Sequence, residues 1–157
     1  MDIQPYLPEL QTILVKHGVV LAYLFGSQSE GPAGPLSDID IAVLLRPDRL
    51  KERGMAKDRW SDPQIDLIGD LCRLFHRNDV DVVILNQATP LLMHQVVKHG
   101  KIIYEDPVTR PAVDFAAYAI SRYADTIPLR RLQDRYLFER IAQRKQARAQ
   151  SSWPASR

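Results

Sequence analysis

The 157-residue sequence predicts an α/β (α+β) domain: a mixed sheet flanked by helices, followed by a C-terminal helical pair. Three observations carry that prediction. Short apolar runs at 19–25, 39–45 and 80–85 are rich in β-branched and aromatic residues, as expected of strands buried on both faces. Segments of helical period separate or follow them. A stretch from Gly26 to Ser37, with Gly31, Gly34, Pro32 and Pro35, marks a long loop between the first two strands.

Taken in order, Leu10, Ile13, Leu14 and His17 recur at helical spacing, with Pro8 suited to the first turn and Gly18 to the position past the end. Val19–Phe25 is the first strand, and Ile39–Leu45 the second. Ser61 or Asp62 caps a helix to about Arg77, with Ile65, Ile68, Cys72 and Phe75 as its apolar stripe. Val80–Leu85 is the third strand. Thr89-Pro90 opens a helix lined by Met93, Val96 and Val97 and stopped by Gly100. Ile102–Tyr104 is a short edge strand. Two helices, 108–124 and 129–147, meet near Pro128; the first turns Val113, Ala116, Ala117 and Ile120 inward, the second Leu129, Leu132 and Tyr136. The domain reading is a core at 1–106, C-terminal helices at 107–147 that pack on the core or a partner, and a flexible tail at 148–157.

Composition narrows the function classes. A net charge of +2 gives no general affinity for nucleic acid, and no direct nucleic-acid contact is expected. From Arg110 to Arg148, nine basic residues face four acidic ones, so any acidic partner would meet the C-terminal helices. The single cysteine, Cys72, excludes an intrachain disulfide. No apolar run approaches the ~20 residues that span a bilayer. The expectation is a soluble, cytoplasmic protein without a membrane partner.

The chemistry resides in Gly26-Ser27, ten intervening residues, and Asp38-Ile39-Asp40. Side chains on a strand alternate faces, so Asp38 and Asp40 point the same way, while Ile39 and Ile41 point into the core. Two adjacent carboxylates repel each other unless a cation lies between them. That suits Mg²⁺, which takes one or two carboxylates together with substrate phosphate oxygens. Gly26 allows close backbone approach to a phosphate, and Ser27 can donate its hydroxyl and N–H. Asp81 interrupts the apolar third strand. A buried charge there would need a counter-charge, which a metal on the neighbouring strand would supply. Three carboxylates on adjacent strands fit a two-metal site, with Asp81 placed to draw the proton from an attacking hydroxyl.

Phe25-Gly26-Ser27 and Ser37-Asp38-Ile39-Asp40-Ile41-Ala42-Val43-Leu44 resemble the signature of the minimal nucleotidyltransferases of the DNA polymerase β-like superfamily. The resemblance implies that fold, Asp38, Asp40 and Asp81 as metal ligands, and Gly26 and Ser27 on the nucleotide. Pro90-Leu91-Leu92, Gly100–Glu105 and Phe115–Arg131 are similar to the antitoxin subgroup encoded beside HEPN ribonuclease toxins. This implies a Mg²⁺-dependent protein adenylyltransferase that moves AMP from ATP to a toxin tyrosine hydroxyl, within a hetero-oligomer. Glu30 departs from the pattern, since many relatives carry a basic residue before the loop glycine. The alternatives are a transferase acting on a small-molecule or RNA acceptor, and a non-catalytic inhibitor that masks the toxin.

Overall fold

The computed structural model describes residues 3–26, 38–49 and 63–150; the side chains of 63, 134 and 146–150 lie outside that description. The expected caps at Ser61 and Asp62 and most of the 26–37 loop fall outside it too.

A 3-10 turn at Gln4–Tyr6 leads into α1, Leu7–Lys16, with Pro8 in its first turn and Leu10 and Leu14 fully buried. β1 is Val19–Phe25, β2 Ile39–Leu45, α2 Pro63–Phe75, β3 Val80–Ile84, α3 Pro90–His99, β4 Lys101–Glu105 and α4 Ala112–Gln150. The strands form one sheet in the order β3-β2-β1-β4. β1 runs antiparallel to both β2 and β4, and β2 pairs with β3 in parallel, so the sheet is mixed. The third strand stops at Ile84 because Leu85–Gln87 winds into a 3-10 turn. Asn86 then caps the neighbouring strand, accepting from Leu45 N–H at 2.9 Å and donating to its carbonyl at 3.0 Å.

Two cores sandwich the sheet. On one face Ile39, Ile41, Val43, Val80, Val82 and Ile84 pack with Leu10 and Leu14 of α1 and Leu67 and Leu71 of α2. On the other, Leu21, Tyr23, Ala42 and Leu85 pack with Met93 and Val96 of α3 and Phe115 and Ala119 of α4. The alternation is what strand geometry demands.

Three expectations about helix faces and ends are corrected. In α2 the most buried residues are Leu67, Leu71, Leu74 and Phe75, with Ile68 and Cys72 at the margin. In α4 Phe115 and Ala119 face the core, while Val113 (78% exposed) and Ile120 (53%) face outward. Residues 112–120 are apolar on nearly every side, so spacing alone does not choose a face; the bulk of Phe115 against Tyr23 (centroids 6.5 Å apart) does. α4 begins at 112 instead of 108 because the Asp106 carboxylate closes a turn on Val108 and Thr109 N–H, with Arg110 at φ +44°. Glu105 Oε1 then accepts the Ala112 N–H at 3.0 Å.

Both C-terminal segments are helical, but the structure runs them together as one helix through Pro128. Proline removes the donor for the Ala124 carbonyl. Just before that gap, the Thr126 hydroxyl donates to the Tyr123 carbonyl at 2.7 Å. α3 and α4 are further joined by His94 stacked on Tyr123 at 3.9 Å, with the Arg130 guanidinium 4.0 Å from the same ring centre. Among the described residues, no helix is long and apolar enough to cross a membrane.

Candidate active site

The parallel register places Asp40 directly beside Asp81, with Ile39 beside Val80 and Ile41 beside Val82. Because the isoleucines and valines fill the α1/α2 core, Asp38, Asp40 and Asp81 project from the opposite face, the one that carries Ala42 further along β2 and Leu85 in the turn just after β3. The helices α3 and α4 cover that face at Ala42 and Leu85. Asp40 is half-buried, and Asp38 and Asp81 are exposed.

Asp81 is thus not a charge driven into a core, as the apolar run around it implied. Its strand is buried on the α1/α2 side, while the helical layer on the other side leaves the start of β3 open. What brings it to the site is register: a residue two positions into β3 stands opposite the second residue of β2.

Asp40 feels both neighbouring carboxylates. Burial first, then the charges of Asp81 and Asp38, push the Asp40 carboxyl above its ordinary range. This donor set is all oxygen and anionic, and its inner member is held in its charged form only at a cost. A hard divalent cation removes that cost, so these residues fit Mg²⁺. Among the described residues no group of three such side chains is placed to hold a metal ion, so as they lie the three aspartates do not form a ready-made site; Mg²⁺ would take one or two of these carboxylates and complete its shell with water and substrate oxygens.

Gly26 follows the last residue of β1, Phe25, which pairs with Asp40. It adopts φ +70°, and a Cβ placed on it would collide with Asp40 Oδ2. The glycine therefore lets the carboxylate lie against the backbone at the strand end. Ser27 and Glu30 fall outside the described residues.

One pair at the site was not anticipated. Arg77 Nε donates to Asp79 Oδ1 at 2.7 Å, and its Nη2 pairs with Oδ2. This hydrogen-bonded fork holds the Asp79 carboxyl below its usual range and raises the guanidinium, to which Asp38 also contributes. The available signal was a basic residue just past the end of α2, two positions before an aspartate that leads a strand.

A family model for the polymerase beta nucleotidyltransferases matches residues 8–107. The chain belongs to this family. The matched span contains all four strands and the three aspartates. Over 108 residues this nucleotidyltransferase is 26% identical to the protein adenylyltransferase MntA of Aphanizomenon flos-aquae, covering 66% of its own chain and 71% of that one. It is 40% identical over 84 residues to the protein adenylyltransferase MntA of Shewanella oneidensis, covering 54% of its own chain and 52% of that one.

Solved structures extend the likeness. One chain in a toxin–antitoxin crystal structure with AMP-PNP superposes with a TM-score of 0.66 at 28% identity, covering 84% of the nucleotidyltransferase and 98% of that chain. Another comes from a tri-AMPylated Shewanella oneidensis HEPN toxin in complex with its MNT antitoxin. It gives a TM-score of 0.64 at 27% identity, covering 87% and 99%.

Proposed function

We propose that this nucleotidyltransferase is the antitoxin of a HEPN/MNT pair, a protein adenylyltransferase that moves AMP from ATP to a tyrosine hydroxyl of its HEPN ribonuclease partner in the cytoplasm. The observation that carries the reading is the Asp40–Asp81 register, which gathers three carboxylates on an open sheet face. The adenylyltransferase relatives, and the chains from toxin–antitoxin structures that this one spans almost entirely, support the acceptor class; of the two relatives it covers 71% and 52%.

In this reading Asp38, Asp40 and Asp81 hold Mg²⁺. When bound, the ions supply charge neutralisation at the triphosphate and the departing pyrophosphate. Asp81, exposed beside Asp40, takes the proton from the attacking hydroxyl. Gly26 and Ser27 bind the triphosphate by backbone and hydroxyl donors. Residues 1–106 carry this chemistry, and residues 107–147 join core to partner. The first turns of α4 are anchored by Phe115 and Ala119, while Leu129, Leu132, Tyr136, Leu137 and Ile141 are exposed further along. Arg131, Arg135, Arg140 and Arg144 lie on the same stretch of α4, so it suits a partner that carries acidic groups.

The test is transfer itself. The protein is incubated with α-labelled ATP, Mg²⁺ and the purified HEPN partner, and label is followed on the partner. Wild type labels a partner tyrosine, and the Asp38→Asn/Asp40→Asn variant does not. An unlabelled partner, or equal labelling by both proteins, overturns the reading. If the double variant still neutralises the toxin as well as wild type does, masking explains the antitoxin.

A further inference from the structure

Helix α2 ends in a tight reversal. His76 N–H donates to the Arg73 carbonyl at 3.4 Å, Arg77 N–H donates to the Cys72 carbonyl at 3.1 Å, and His76 takes φ +53°. This left-handed cap turns the chain back toward the sheet and delivers Arg77 to the approach of β3. There the guanidinium grips the Asp79 carboxylate through two donors. Meanwhile the Asp79 carbonyl accepts the Ile39 N–H at 3.0 Å. Ile39 lies between Asp38 and Asp40, and Asp79 lies two positions before Asp81. One residue thus receives the arginine on its side chain and a β2–β3 cross-strand hydrogen bond on its backbone, beside the carboxylates.

We propose that Arg77 is a positioning residue: its fork on Asp79 fixes the parallel register that stands Asp40 opposite Asp81. The inference rests on reading the aspartates as a cation site. A slip of one residue would bring Val80 or Val82 opposite Asp40 and send Asp81 toward the α1/α2 core. The ladder has only five paired positions, so its own hydrogen bonds give the register limited support. A planar two-donor fork fixes the carboxylate's orientation as well as its position, which a lysine ammonium does not.

The test measures Mn²⁺ binding to the full-length chain by electron paramagnetic resonance, with thermal melts to verify folding. Arg77→Ala and Asp79→Asn each weaken Mn²⁺ binding, by roughly tenfold, the scale on which groups supporting a metal's ligands act. The double variant is no worse than either single one, because the two residues work as a unit. Arg77→Lys keeps the charge and still loses affinity; it serves as the readout if Arg77→Ala does not fold. If Arg77 acted only through its charge, removing it would tighten Mn²⁺ binding while Asp79→Asn loosened it. Effects of opposite sign overturn the proposal, as does a drop in melting temperature with unchanged Mn²⁺ affinity. Wild type that binds Mn²⁺ but labels no partner removes the adenylyltransferase reading and leaves the clamp standing.

Discussion

At residue 26 the backbone turns through φ +70° with the Asp40 carboxylate pressed against it. Two costs therefore meet in a Gly26→Ala variant. The methyl group enters a left-handed conformation that costs on the order of 1 kcal/mol, and it pushes Asp40 out of line with Asp81. A modest drop in melting temperature and a loss of AMP transfer of at least about tenfold are expected, since small misplacements at a reacting centre are costly. A thermal melt alongside the labelling assay separates the two; full activity with only a lowered melting temperature would refute the placement of Asp40. Asp38-Ile39-Asp40 could be read from the sequence because alternation on a strand is a local rule, and Ile39 and Ile41 are indeed buried on the opposite side. Asp81 could be found as an interruption, but its actual surroundings are exposed, because coverage of a sheet face depends on where distant helices stop. The Arg77–Asp79 fork left only a faint trace, a basic residue two positions before a strand-leading aspartate, because spacing does not say which neighbour a side chain beyond a helix cap will grip.

The helices separate a face that holds the fold from one that is free. Phe115 sits in the core against Tyr23, whereas Leu132 lies on the outer half of α4 at 44% exposure. Phe115→Ala should cost about 3 kcal/mol, the range for emptying a buried aromatic site. Leu132→Asp should leave stability within about 0.5 kcal/mol of wild type while weakening capture of the partner. Urea melts and a pull-down against the HEPN protein distinguish these outcomes; a strongly destabilised Leu132→Asp would place that face inside the fold instead. The existence and order of the elements were readable from periodicity. The choice of face was not readable in α4, where apolar residues surround the axis. Nor was its continuity through Pro128, since a proline in an exposed helix with room for its displaced carbonyl need not end it.

For the molecule as a whole, Asp70 pins the two helices on one side of the sheet. Its carboxylate accepts from Lys16 at 2.7 Å and contacts His17 Nε2 at 2.8 Å at the end of α1, and Arg73 reaches it from its own helix at 2.7 Å. Hydrogen bonds from Lys16 and then His17 lower its pKa to about 2 from 3.8. A carboxylate depressed in the folded state stabilises above its unfolded value, so this contribution is intact above about pH 4 and disappears as the pH falls toward 2. Asp70→Asn should lose about 1 kcal/mol at neutral pH, after allowance for solvent screening, and flatten that part of the acid-unfolding profile; an unchanged profile would show that the pin carries no weight. The topology has a temporal consequence as well. Antiparallel β1 and β2 are neighbours along the chain, but the strand that brings Asp81 joins only after α2 has crossed over the sheet. On a growing polypeptide the first two aspartates emerge well before their companion, and pairing distant segments is the slow part of folding. The face proposed for catalysis is therefore complete only once β3 has docked on β2, and a partly made chain lacks it.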